Sequence, residues 1–172
     1  MSKMLPGLIL ALALLVAAPP LSAQPDSLAF HGLRMGMSPE QVEAAGYRTL
    51  RLVMHAAGTL GRELSTEQVE TLHSLVVYFF QDRLYEISAF FKPMPYEQAR
   101  ELTRATYAQY GAPENQGDGL WVSVTWFREG VKVHYGAEPH PDDRFAPSLL
   151  LTLEEQYRAA TKQVEPPARA GF

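Results

Sequence analysis

The chain has 172 residues, a formal charge of −4 and no cysteine. That length suits one domain with its own core, and the missing cysteines exclude disulfides, thiol chemistry, cysteine-ligated zinc and a cysteine-linked lipid anchor. Mild acidity without a basic face argues against binding bulk nucleic acid through the protein's field.

Residues 1–23 read as a removable export signal. Lys3 is their sole charge, and an unbroken apolar run of 11 residues follows over 8–18. Pro19 and Pro20 end the run, and Leu21-Ser22-Ala23 offers a cleavage site. The run is too short to cross a bilayer, which takes about 20 residues. The expected product is a periplasmic or secreted protein that does not insert in the membrane, with one domain over 24–164 and a disordered tail over 165–172.

The domain opens with a helix start. Ser38 is a good N-cap, Pro39 suits the first helical position, Gln41 completes a capping box, and Met37 can staple against Val42. Gly46 ends this short helix, expected over 39–45. Residues 47–54 read as a strand, 55–63 as a loop with two glycines, and 65–72 as a second short helix.

Residues 75–91 are rich in aromatic and β-branched side chains and broken only by Gln81-Asp82-Arg83, the pattern of a β-hairpin. Pro93 and Pro95 end it. Residues 96–110 are an amphipathic helix burying Ala99, Leu102, Thr106 and Tyr110, closed by Gly111 and Pro113. A second hairpin joins 120–127 to 131–135 through the turn Arg128-Glu129-Gly130. Residues 136–147 read as a polar loop, 148–153 as a strand and 154–164 as a terminal helix. The expected class is α+β: an antiparallel sheet built from hairpins, with helices on one face and two αβββ-like halves.

The segment Gly32-Leu33-Arg34-Met35-Gly36-Met37-Ser38-Pro39-Glu40-Gln41-Val42 resembles the opening of periplasmic proteins related to the small lipoprotein of the outer-membrane β-barrel assembly machinery. It is also similar to proteins of the β-lactamase-inhibitor-like fold. The hairpin from Tyr78 to Ile87 and the helix end Tyr110-Gly111-Ala112-Pro113 look like those families too. The resemblance implies a helix-plus-antiparallel-sheet fold, an envelope location and protein binding rather than catalysis. This chain departs from the pattern in lacking the anchoring cysteine and the families' cysteine pairs, so no named partner is carried over.

No motif carries catalysis. There is no Gly-x-Ser-x-Gly and no phosphate-cradling glycine loop. Glu86 is a lone strand carboxylate. His140-Pro141-Asp142-Asp143, with His134 upstream, is the nearest approach to a metal-ligand set, but a proline-flanked acidic loop is ordinarily solvated. The expectation is no enzyme activity, no cofactor and no metal.

The hairpins carry more information. In 83–91, Tyr85, Ile87, Ala89 and Phe91 are expected to face the core, because Glu86 and Ser88 alternate with them. A two-residue turn at Asp82-Arg83 would put Val76, Tyr78 and Phe80 inside; a three-residue turn would put Val77 and Phe79 inside. Either way the second face keeps at least two aromatic rings, and Trp121 and Phe127 lie opposite the core row of the second hairpin. A sheet with helices on one side is usually polar on the other, so this apolar surplus reads as an interaction surface. The residues expected to bind an envelope protein partner are Phe90, Trp121, Phe127 and Glu86, with Tyr78 or Phe79 according to register, ringed by Ser88, Ser123, Thr125 and His134. The competing reading is a second layer over that face: the 154–164 segment, the 55–72 stretch or a homodimer mate. A carrier of a small apolar ligand is the alternative function, and an envelope hydrolase built around Glu86 or His140 a weaker one.

Overall fold

The computed structural model of the chain describes residues 28–55, 59–113, 115–116 and 122–164. The expected signal, the tail and Trp121 lie outside the described residues. The fold is α+β, built on an antiparallel sheet.

A small hairpin, β1 (Ala29–Phe30) and β2 (Leu33–Arg34), comes first. Helix α1 (Pro39–Ala44) follows, then β3 (Thr49–Met54), β4 (Leu60–Leu64), β5 (Leu72–Phe80), β6 (Arg83–Phe91) and the short β7 (Met94–Pro95). Helix α2 (Tyr96–Tyr110) leads into β8 (Asn115–Gln116), β9 (Val122–Arg128), β10 (Val131–His140), β11 (Arg144–Leu153) and α3 (Glu154–Val164). The main sheet runs β3-β4-β5-β6-β11-β10-β9-β8, with β7 paired to β11. Apart from the short β7, each half is thus a helix followed by four strands, one more than expected, and the halves meet at the β6–β11 pair.

The start of α1 behaves as its residues dictate. Gln41 N–H donates to Ser38 Oγ at 3.3 Å, and Ser38 N–H donates to Gln41 Oε1 at 2.8 Å, which is the capping box. The segment before it is a strap. Gly36 N–H donates to the Leu84 carbonyl at 2.7 Å, and Leu84 N–H donates to that of Met37 at 2.8 Å. The Gly32-to-Val42 motif therefore pins the N-terminal hairpin and α1 across the start of β6.

One face of the sheet packs against that hairpin, α1 and α2. Leu75, Val77, Leu84, Ile87, Val124, Trp126, Val133, Tyr135 and Leu151 form its core with Leu28, Leu33, Val42 and Tyr110. Trp126 is fully buried, donates from Nε1 to the Gly111 carbonyl at 2.9 Å, and lies against the Tyr107 and Tyr110 rings. Helix α3 lies on the opposite face, where Ala160 and Tyr157 pack with Val76, Tyr78 and Tyr85. The 154–164 segment is thus a second layer, over part of that face.

Several local expectations are corrected. Residues 60–64 are a strand, because the missing side chain at Gly61 leaves room for the Tyr78 ring across the β4–β5 pair. Residues 65–71 make turns that lead into β5 instead of a helix. The 136–147 stretch continues the β10–β11 ribbon to a tip at 141–143. Pro147 is tolerated there because it falls between the last β6 pair, Ser148 with Phe90, and the first β7 pair, Phe145 with Met94. Both hairpin turns are two residues long, Gln81-Asp82 and Glu129-Gly130, with positive φ at every central position, as a type I′ turn requires; Arg128, expected in a three-residue turn, is the last residue of β9 and pairs with Val131.

A further correction concerns the faces of β6. Tyr78 pairs with Glu86 and Phe79 with Leu84, so Tyr85 is an extra, bulged residue. Leu84 therefore joins the first-face core, while Tyr85 packs with Val76 and Tyr78 on the second face beside Glu86. Tyr85 was expected on the core row; the bulge moves it. The same bulge puts Val77 and Phe79 on the first face without a three-residue turn.

Candidate functional site

Strand register lays out the second face row by row. One row crosses the sheet as Phe127, Lys132, Thr152, Glu86 and Tyr78; the next as Thr125, His134, Leu150, Ser88 and Val76; a third ends at Ser123, Gly136, Ser148 and Phe90. Alternation thus places Ser88, Ser123, Thr125 and His134 on the face where the sequence expected polar groups. Helix α3 and the end of β3 cover the Tyr78–Tyr85 end. Among the described residues the remainder is open, and Phe90 and Phe127 keep 46% and 45% of their surface exposed.

Between the covered and open parts lies a recess of about 280 Å³, lined by His55, Tyr78, Glu86, Ser88, Phe90, His134 and Leu150 among others. Glu86 is 2% exposed. His55, at the end of β3, reaches Glu86 Oε1 with Nε2 at 3.4 Å, and Ser88 Oγ donates to the same oxygen at 3.4 Å. The His55 ring stands edge-on to Tyr78, with centroids 4.8 Å apart, and edge-on to Tyr157 of α3 at 6.0 Å. Tyr85 shares a hydrogen bond with Thr59 at 3.1 Å.

The electrostatics follow from burial. Desolvation pushes the Glu86 carboxyl above its usual range, against the opposing pull of His55 and the hydrogen bonds from Ser88, His55 and Thr152. Burial likewise raises the Tyr78 and Tyr85 hydroxyls, with a further push from Glu86. His134 is lowered by burial and then by nearby Lys132, and its Nδ1 shares a hydrogen bond with Thr125 Oγ1 at 3.2 Å.

The expected site residues separate into groups. Glu86, Phe90 and Tyr78 come together around the recess, and Phe127 shares their face on β9. Tyr78 is buried, so it forms a wall of the recess. Phe79 is on the other face, where it packs against the core with the Arg62 guanidinium 5.4 Å from its ring centroid; the β6 bulge decides this. His140 sits exposed at the far tip of the β10–β11 ribbon, away from the Glu86–His55 pair. Among the described residues, no group of three or more His, Asp or Glu is placed to hold a metal ion. His55 was missed. It was assigned to a loop, and its partner is 31 positions away in the sequence, with no local pattern to join them.

Searches of family models, curated proteins and solved structures found no match to this chain.

Proposed function

We propose that this is an exported, periplasmic binding module that docks an envelope protein on the open half of its second sheet face, without turnover. The observation that carries the reading is the exposure of Phe90 and Phe127 on one face, in a fold that already uses α3 to cover the neighbouring rings. Half-exposed aromatic rings beside polar groups are the usual composition of an interface anchor. Export is supported by the charge, apolar run and small-residue pattern of residues 1–23. Among the described residues no helix is long and apolar enough to cross a membrane. The 32–42 motif adds its resemblance to envelope proteins that bind other proteins. The test is a crosslinked pull-down from the native envelope with wild type and with Phe90→Ala/Phe127→Ala. Loss of a discrete partner in the variant, at an unchanged unfolding midpoint, supports docking; equal recovery rejects it.

A second reading has its own observation. A cavity of about 340 Å³ lies between α2, the N-terminal hairpin and the first face, lined by Phe30, Phe91, Leu102, Tyr110, Tyr135 and Leu149 among others. The Tyr110 hydroxyl is buried without a hydrogen-bond partner, and burial pushes its pKa up to about 12, so it stays protonated. A small apolar ligand with one acceptor atom suits such a place. A retained small mass in native mass spectrometry supports the carrier reading, and a bare chain counts against it.

A further inference from the structure

We propose that the recess beside Phe90 receives the ammonium end of a lysine side chain, with Glu86 as its counter-charge. This rests on the docking reading and names what the partner presents.

Burying a carboxylate costs several kcal/mol unless strong donors replace its water. Glu86 has weak replacements. His55 and Ser88 both approach Oε1, each at 3.4 Å, the long end of the hydrogen-bond range, and the Thr152 hydroxyl on the neighbouring strand adds a third hydrogen bond, yet desolvation still outweighs all three. The only ionic partner of Glu86 among the described residues is His55, which is charged only when protonated. Among the described residues the lining contains one carboxylate and no lysine or arginine. Lys132, two strands along the same row, lies near His134 but does not line the recess, and Arg51 is committed to Glu63.

The walls select the form of the cation. Phe90, Leu150 and the Tyr78 ring offer apolar and aromatic surface leading to the carboxylate. A four-carbon stem lies along such walls while its charge reaches the acid, and aromatic faces attract a cation. Because Oε1 is already shared by two donors, a single-point ammonium fits better than the two-pronged guanidinium of arginine.

The test uses the full chain and three probes with the same alkyl stem: n-butylammonium, n-butanol and n-butyrate. The readout is the shift of the Tyr78, Phe90 and His55 ring signals in NMR titrations. The expected result is saturable binding of n-butylammonium at least tenfold tighter than n-butanol, no binding of n-butyrate, and at least a tenfold loss in Glu86→Gln. If n-butanol equals the ammonium probe, or Glu86→Gln binds it as well as wild type, the proposal is overturned. The wild-type comparison of the three probes decides the matter even where the variant folds poorly. No partner protein is present in this assay. Ammonium binding here combined with equal partner recovery by Phe90→Ala/Phe127→Ala in the pull-down would therefore reject the docking reading alone, and docking that survives Glu86→Gln at full strength would reject the lysine site alone.

Discussion

His55 and Glu86 meet across the second sheet face, with Nε2 3.4 Å from Oε1, joining the end of β3 to the middle of β6. The contact brings the outer hairpin of one half to the strand that pairs with the other half. It also sets a nearly buried acid beside a recess, where its charge is poorly solvated.

That burial has a pH signature. The folded-state pKa of Glu86 lies above the ordinary 4.5 because burial desolvates it, so folding disfavours its charged form relative to the unfolded chain. The associated stabilisation is complete below pH 4.5 and is lost as pH rises through the folded value. Thermal unfolding of wild type against Glu86→Gln from pH 4 to 8 should show the difference shifting in favour of the variant as pH rises. At pH 7 the variant should be at least as stable as wild type. A difference that does not change with pH would mean that Glu86 is well compensated.

Gly61 is expected to be intolerant of a side chain. A Cβ there would lie 2.6 Å from Cδ1 of Tyr78, against a ring that forms one wall of the recess. Gly61→Ala should lower the unfolding midpoint by an amount corresponding to about 1–3 kcal/mol, the range for overpacking, and should disturb the Tyr78 and His55 ring signals together. Gly130→Ala, where a Cβ meets nothing within 4 Å, should leave those signals in place and report only the strain of its φ of +78°.

Trp126 anchors the first face. Trp126→Ala should cost about 3–5 kcal/mol through the cavity it leaves. Trp126→Phe fills most of the space but leaves the Gly111 carbonyl without its donor, a loss of about 1–3 kcal/mol. Chemical denaturation orders the two variants, and the reverse order would contradict this packing.

The tight turn of the first hairpin leaves room for improvement. Gln81 and Asp82 have φ of +50° and +56°, and Asn-Gly is the pair that best tolerates that geometry. Gln81→Asn with Asp82→Gly should stabilise the fold by about 1 kcal/mol and raise the unfolding midpoint by about 2–4 °C.

Much of the fold was legible because its signals are local. Ser38, Pro39 and Gln41 announce α1, the spacing of Ala99, Thr106 and Tyr110 defines the buried stripe of α2, and the 154–164 helix lies where its residues suggested. Alternation also put Phe90 and Phe127 on one face. Features set by tertiary contacts were not legible. β4 depends on Gly61 lying beneath Tyr78, and the long β10–β11 ribbon carries Pro139 and Pro147, which read as loop residues when seen alone. The bulge at Tyr85 is a one-residue slip that exchanges the faces of Leu84 and Tyr85, and no residue nearby marks it. The same slip sends Phe79 away from the site. His55 belongs to the site only because β3 ends beside β6.

The central claim is that the open half of the second face is an interface. Its most direct measurement is site-specific photo-crosslinking in the native envelope, with the reactive group at position 90 or 127 and, as a control, at exposed position 140 on the distal ribbon tip. The account predicts one discrete protein adduct shared by positions 90 and 127 and absent from 140. No adduct at 90 and 127, or the same products at all three positions, would contradict it.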